Sequence, residues 1–222
     1  MYVGIPFIYG RYSRILLGQK AAKVRTLVLT FDDGPGSRLT PAILKLLAEY
    51  NAKATFFLLG RNIAGREQIV RQIAAQGHEI CSHSYDHLHH WKVSPVRAII
   101  DIKRGWQAID NAIGAQSRTY PFRPPYGKMN LVSLLYLWAK KVPIIYWTVD
   151  SGDTWPTEKR KVHRAATSTG INGGAIVLAH DFDRSTNETD RYVIESLQLL
   201  LAAAQESGLR TCTVSQLEGL KK

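Results

Sequence analysis

The sequence holds only two cysteines, Cys81 and Cys212, in 222 residues. They are too few and too far apart for a disulfide framework or a CxxC metal site. Cys81 sits in an apolar stretch and reads as a small buried side chain rather than a reactive thiol. No uninterrupted apolar run approaches the roughly 20 residues needed to span a bilayer. The apolar start, Tyr2 to Tyr9, is short and is broken by Gly4 and Pro6. It lacks the basic lead and small-residue cleavage site of an export signal. Repeats, low-complexity tracts and evident linkers are missing as well, so one domain is expected.

Acidic residues are also scarce: 18 Asp and Glu face 29 Lys and Arg, a net charge of +11. Such a balance favours anionic polymers or an anionic membrane surface. The basic residues, however, are spread from Arg11 to Lys222 without a block of five or six. Neither zinc-finger spacing nor an RNA-binding signature accompanies them, so nucleic acid is not expected as a partner. The surface reads as generally basic and solvated.

What is present is alternation. Val24 to Phe31 is a β-branched and apolar run that reads as a buried strand. Thr40-Pro41 predicts a helix start, a capping hydroxyl followed by proline in the first turn. Ile43, Leu44, Leu46 and Leu47 then form its apolar face. Ala54 to Leu59 is a second strand, and Ile69, Val70 and Ile73 mark a helix stopped by Gly77. Glu79 to Ser82 is a short third strand. Ser94-Pro95 opens a longer helix with Ile99, Ile102, Trp106, Ile109 and Ile113 at three- and four-residue spacing. Thr119 to Phe122 (strand), Leu131 to Lys140 (helix), Val142 to Val149 (strand) and Glu158 to Ser168 (helix) follow. Ala175 to Ala179 is a buried strand, and a helix with Val193, Leu197, Leu200, Leu201 and Ala204 ends at Gly208. Leu209 to Val214 supplies a last strand. Such strand–helix units imply parallel strands joined by right-handed crossovers, in a ring or an open doubly wound sheet.

The ionisable residues fall at strand ends. Asp32 and Asp33 follow the first strand, His83 the third and Arg123 the next. Asp150 and Asp153 follow another, and His180 follows the last strongly apolar one. In parallel α/β folds those ends share one face, where catalytic side chains collect. His83 and His87 are four apart, which puts both imidazoles on one side of a helical turn. With a carboxylate from another strand end they make a two-histidine, one-carboxylate set with an open position for water. Asp32 and Asp33 both reach such a site where the strand breaks into the Gly34-Pro35 turn, and the residues alone do not say which does what. His89 and His90 read as rim residues, and His78 and His163 as structural or exposed.

Five segments, TFDDGP (30–35), HSYDH (83–87), RPPYG (123–127), DSGDTW (150–155) and LAHD (178–181), occur in order over residues 25–215. In this they resemble the polysaccharide deacetylases, the NodB-homology family or carbohydrate esterase family 4. The resemblance implies an α/β fold, a distorted (β/α)7 barrel of parallel strands in a single domain, over residues 25–222. It implies a divalent metal, Zn2+ foremost with Co2+, Ni2+ or Mn2+ as alternatives, on Asp33, His83 and His87. It gives Asp32 the role of general base and His180 that of general acid. Arg123 orients Asp32, Asp153 supports His180, and the backbone N–H of Tyr126 stabilises an oxyanion. Tyr126, Trp155 and Leu178 are the implied substrate contacts, Leu178 lining an acetyl-methyl pocket. In the family the aspartate commonly precedes the tryptophan directly, whereas Thr154 intervenes here, so Asp150 competes for the role of Asp153. The implied substrate is an N-acetylated glycan or glycolipid, met by such enzymes at the cell envelope or outside the cell. A sugar deformylase with the same site, and a non-catalytic glycan-binding barrel, are the alternatives. Residues 1–24, with Arg11, Arg14 and Ile15-Leu16-Leu17, are expected to dock on the barrel bottom, with peripheral membrane contact as the alternative. Oligomeric state is left open.

Overall fold

The computed structural model describes residues 3–116, 119–156, 173–183 and 187–217, together with 159 and 171. In chain order its elements begin with α1 (Gly4–Lys23), β1 (Thr26–Asp32), α2 (Leu39–Glu49) and β2 (Ala54–Leu58). Next come α3 (Gly60–Ile63), α4 (Glu67–Ala75), β3 (Glu79–Ser82), α5 (Pro95–Ile113) and a 3-10 turn at Pro125–Gly127. They end with α6 (Leu131–Ala139), β4 (Val149–Asp150), β5 (Ala175–His180), α7 (Asn187–Glu206) and β6 (Arg210–Thr211). The helix expected over 158–168 lies, residue 159 apart, outside the described residues.

All described strand pairs are parallel, in the order β3-β2-β1-β5-β4, with β6 beside the start of β1. β1 and β2 are buried along their whole length, as expected of parallel strands covered by helices. Single bridges continue past β3, from Ser82 to Phe122 and from Phe122 to Ile144. Ile144 shares a segment with β4, and β4 pairs with β5, so the circuit returns to β1 as a closed, distorted barrel. The strands expected at Thr119–Phe122 and Val142–Val149 therefore survive only as bridges and the two-residue β4. Pro121, Pro124, Pro125 and Pro143 have no N–H to extend a ladder. The donors that remain are paired: Phe122 N–H donates to the Pro143 carbonyl and Arg123 N–H to the Ser82 carbonyl.

The start of α2 differs from expectation. Its first N–H groups are capped from the loop after the neighbouring strand β5, by the Asp183 carboxylate accepting from Arg38 at 2.9 Å and Leu39 at 3.1 Å. Thr40 lies inside the helix, and its hydroxyl donates to Asp181 Oδ2 at 2.6 Å instead. Burial pushes the Asp183 carboxyl up, but the Ser37 hydroxyl and the N–H groups of Ser37, Arg38 and Leu39 outweigh it and hold it at about 2. That contact ties the loop after β5 to the loop after β1. The α5 start matches the sequence, with Ser94 Oγ accepting from Arg97 N–H.

α1 is a full helix that packs against β1, β5 and α6. Leu17 and Ala21 are buried, Tyr9 meets Trp138 of α6 edge-on, and Arg14 stacks over Trp147 at 4.2 Å. Pro6 does not break it, because a proline in the first turn lacks only an N–H that has no helical partner there.

Candidate metal centre

The C-terminal ends of the strands surround a cleft of about 490 Å³. Asp32, Asp33, His83, His87, Tyr126, Leu178 and His180 all line it. β1 delivers the two aspartates differently. Asp32 is its last residue and is buried, whereas Asp33 turns out with φ +70°. Asn62 Nδ2 fixes that turn by donating to the Asp33 carbonyl at 2.7 Å.

His83 and His87 converge through a loop, not a helical turn. Ser84 and His87 have φ of +70° and +59°, and the Ser84 and Tyr85 carbonyls accept from Gly60 and Arg61 N–H. α5 must approach this loop closely, since a Cβ at Gly105 would lie 2.7 Å from the Ser84 carbonyl. His83 Nδ1 lies 2.8 Å from the Arg123 carbonyl, an acceptor, which places the proton on Nδ1 and leaves the Nε2 lone pair free. That Nε2 is 3.6 Å from Asp33 Oδ1, and His87 Nε2 is 3.4 Å from the same oxygen. One donor atom from each of the three residues lies within 4.8 Å of the others. Bonds of about 2.0–2.1 Å at tetrahedral angles separate donors by about 3.3 Å, so the set fits a zinc-sized ion with little movement. Asp33 Oδ1 is buried and accepts no hydrogen bond, as a ligand oxygen would. Burial lowers both imidazoles, His83 to about 3, which keeps them neutral and able to ligate.

Arg123 and Asp32 form a buried pair beside this cluster. The guanidinium donates to Asp32 Oδ1 at 2.7 Å and to Thr30 Oγ1 at 2.8 Å, and it stacks on Phe57 at 4.0 Å. Thr30 Oγ1 in turn donates to the Val177 carbonyl at 2.6 Å, which fixes the network to β5. Burial raises the Asp32 carboxyl, while Arg123 and then His180 oppose it. Asp32 Oδ2 stays 3.8 Å from His83 Nε2.

His180 faces Asp32 across the β1–β5 register. Asp153, not Asp150, holds it: Oδ1 is 2.9 Å from Nδ1 and Oδ2 accepts the His180 backbone N–H at 2.8 Å. Asp150 lines the cleft and accepts from Gly152 N–H, shaping the turn. Burial lowers His180, but Asp153, with Asp32 and Asp33 behind it, overcomes that and raises it to about 9. Nε2 is left as the ring's other proton site.

Two expectations change. Trp155 is outside the lining of the cleft, which takes Thr154 and Trp147 instead; the turn from Gly152 to Trp155, closed by a backbone hydrogen bond, carries the tryptophan past the mouth. His90 is no rim residue but fully buried against Phe122, lowered to about 4 by burial. His89 does stack on Tyr126, itself 56% exposed at the mouth. His78 is structural, its Nδ1 accepting from Ala54 N–H, and His163 lies outside the described residues. Thr30, Asn62, Trp147 and Asp181 join the site without a mark of that role in the sequence. Thr30 and Asp181 sit inside the segments quoted above, but their contacts are to residues remote in sequence, Arg123 and Val177 for Thr30 and Thr40 for Asp181, and leave no local signal. Asp181 is buried under Gly34, and burial together with the nearby Asp32 and Asp33 raises it to about 7 despite the Thr40 hydroxyl.

Fold and site together define a parallel α/β barrel that carries a two-histidine, one-carboxylate cluster at its C-terminal mouth, flanked by an Asp–Arg and an Asp–His pair. The polysaccharide deacetylase family model matches residues 19–145, and the chain belongs to that family. It is 33% identical over 204 residues to the peptidoglycan-N-acetylglucosamine deacetylase PgdA of Listeria monocytogenes, covering 91% of this chain and 41% of that protein. The chain thus spans less than half the length of that relative. A chitooligosaccharide deacetylase of Bradyrhizobium sp. is 31% identical, with 87% of this chain and 90% of that protein covered. Among solved structures, the peptidoglycan N-acetylglucosamine deacetylase Bc1960 superposes with a TM-score of 0.74 at 28% identity, over 87% of each chain.

Proposed function

We propose that this chain is a metal-dependent hydrolase that removes N-acetyl groups from N-acetylhexosamine residues of a polysaccharide, peptidoglycan-like or lipid-linked glycan. The observation that carries this reading is the pairing of a base and an acid, Asp32 on Arg123 and His180 on Asp153, at the edge of the three-residue donor cluster. A divalent ion held by Asp33, His83 and His87, Zn2+ by the nitrogen and oxygen donor set, would supply Lewis acidity to polarise the amide and to lower the pKa of water from about 15.7 toward about 7.

The chain's own residues then divide the proton work. Asp32 accepts the proton of the attacking water at Oδ2, because Oδ1 is engaged by Arg123. As the acetyl carbonyl becomes tetrahedral, the backbone N–H of Tyr126 donates to the developing oxyanion, a contact typically worth roughly 3–4 kcal/mol. An amine cannot leave as an anion, so His180 gives it a proton from Nε2. Asp153 keeps the imidazole charged until that step. The products are acetate and the free amine. Leu178, in β5, gives the acetyl methyl an apolar wall, which favours acetyl over formyl substrates.

Metal analysis of the purified chain, coupled to acetate release from a panel of N-acetylated saccharides, tests this. One ion per chain and acetate from at least one member are expected. Tight binding of the panel by metal-loaded protein without release would refute hydrolysis and favour a glycan-binding barrel. Relative rates on N-formyl and N-acetyl forms of one sugar decide the acyl group.

A further inference from the structure

Helix α1 has two apolar faces, and the barrel uses one. Pro6, Gly10, Leu17 and Ala21 are buried. On the opposite side Ile5, Ile8, Tyr12 and Ile15 repeat at three- and four-residue spacing and are exposed, Ile8 by 67%. A helix that is apolar all round is ordinarily buried, so this second face is a surface awaiting cover. It extends beyond the helix. Tyr9 meets Trp138, and α6 adds exposed Val132, Leu135 and Trp138 alongside.

Charge identifies what covers it. Residues 1–31 and 111–149, which contain α1 and α6, hold ten Lys and Arg and no Asp or Glu, against a net charge of +11 for the whole chain. Nearly all of the excess charge therefore lies in these two segments. Arg123 is spent on Asp32, but Arg11 and Lys23 on α1 and Lys140 and Lys141 after α6 are exposed. A second copy of the chain would set like charges against one another. A soluble polyanion would leave the apolar side chains unused. An anionic bilayer satisfies both, and tyrosine and tryptophan suit its interface.

We propose that α1 and α6 form a docking face for an anionic membrane surface. Ile5, Ile8, Tyr12 and Ile15 enter the headgroup–acyl boundary, and the exposed Arg and Lys side chains meet lipid phosphates. No described helix is long and apolar enough to cross a membrane, so the contact is peripheral. Arg14, on the same helix, packs on Trp147 and beside Gly127, both of which line the cleft. This edge of the cleft therefore stands about one helix diameter, roughly 10 Å, behind the docking face. This inference goes beyond the deacetylase reading and does not depend on it.

Co-sedimentation of the full chain with vesicles tests it. At low salt the chain pellets with vesicles of equal parts phosphatidylglycerol and phosphatidylcholine and stays in solution with phosphatidylcholine alone. Ile8→Glu with Ile15→Glu lowers the affinity by about tenfold or more, with Tm and hydrolysis of a soluble oligosaccharide unchanged. Lys140→Ala with Lys141→Ala weakens binding and flattens its salt dependence. Parent-like vesicle binding by the Glu variant would overturn apolar docking and leave charge alone. A vesicle-free dimer that the Glu variant splits, without vesicle binding by the parent, would assign the face to a second copy and overturn the proposal.

Discussion

Replacing Asp153 by Asn keeps the side chain's shape and removes the charge that holds His180. The carboxylate accepts two hydrogen bonds from His180, one from the ring and one from the backbone. An amide has a single acceptor oxygen, so one of those bonds is lost along with the charge. With Asp153 in place His180 is held at about 9 although burial opposes it; without it the ring falls toward or below its ordinary value of about 6.5. At pH 8 the imidazole would go from about 90% protonated to about 3%, so kcat/KM should fall about 30-fold if the charged ring is the general acid. At pH 5.5 most of that difference should vanish. The assay is a pH profile of acetate release for parent and Asp153→Asn, each metal-loaded. Stability carries a matching signature. A raised histidine pKa contributes stability that is fully present below about 6.5 and is lost as pH rises through about 9, on the order of 3 kcal/mol. The parent's unfolding free energy should decline across that window, and the variant's should decline much less. An alkaline limb of activity that stays in place in Asp153→Asn would refute the assignment of His180.

Asp32→Asn should retain metal and lose roughly 10²–10⁴ in kcat, whereas His83→Ala should lose both metal and turnover; metal content beside initial rates separates them, and the reverse outcome would exchange their roles. Arg123→Met leaves the Asp32 carboxylate buried without its partner and should cost about 3–5 kcal/mol in urea unfolding; a loss well under 1 kcal/mol would mean the pair is not the clamp described. Gly34→Ala places a Cβ 2.2 Å from the Asp181 carboxylate oxygens and should destabilise by about 1–3 kcal/mol through forced displacement of the turn. A parent-like Tm would show that the turn yields freely.

Legibility in the sequence followed locality. β1, β2 and β5 are continuous apolar runs because both faces are buried, and such runs are visible one residue at a time. The staves around Phe122 and Ile144 look like full strands in the sequence because apolar composition survives there, while four prolines remove the ladder donors. α1 escaped a periodicity argument for the opposite reason: with apolar residues on two faces it has no single stripe to detect. The cap of α2 lies more than 140 residues away at Asp183, out of reach of any local capping rule. At the site, Asp33, His83 and His87 do converge, yet through a loop with left-handed residues rather than the helical turn that four-residue spacing suggests. Asp150 and Asp153 could not be ranked by spacing, since both follow one strand. The turn between them is what sends only Asp153 to His180. Trp147 and Trp155 exchanged places for the same reason, because a loop path and not composition decides which ring reaches the cleft.

In the proposed reaction, amide hydrolysis depends on one divalent ion held by Asp33, His83 and His87. Titration of the chelated chain with Zn2+, following acetate release from an N-acetylated chitooligosaccharide, tests it most directly. Activity should be absent before addition, rise linearly and break at one equivalent, with no recovery in His83→Ala at that equivalent. Acetate release by the metal-free chain, or a parent-like titration of His83→Ala, would contradict the account.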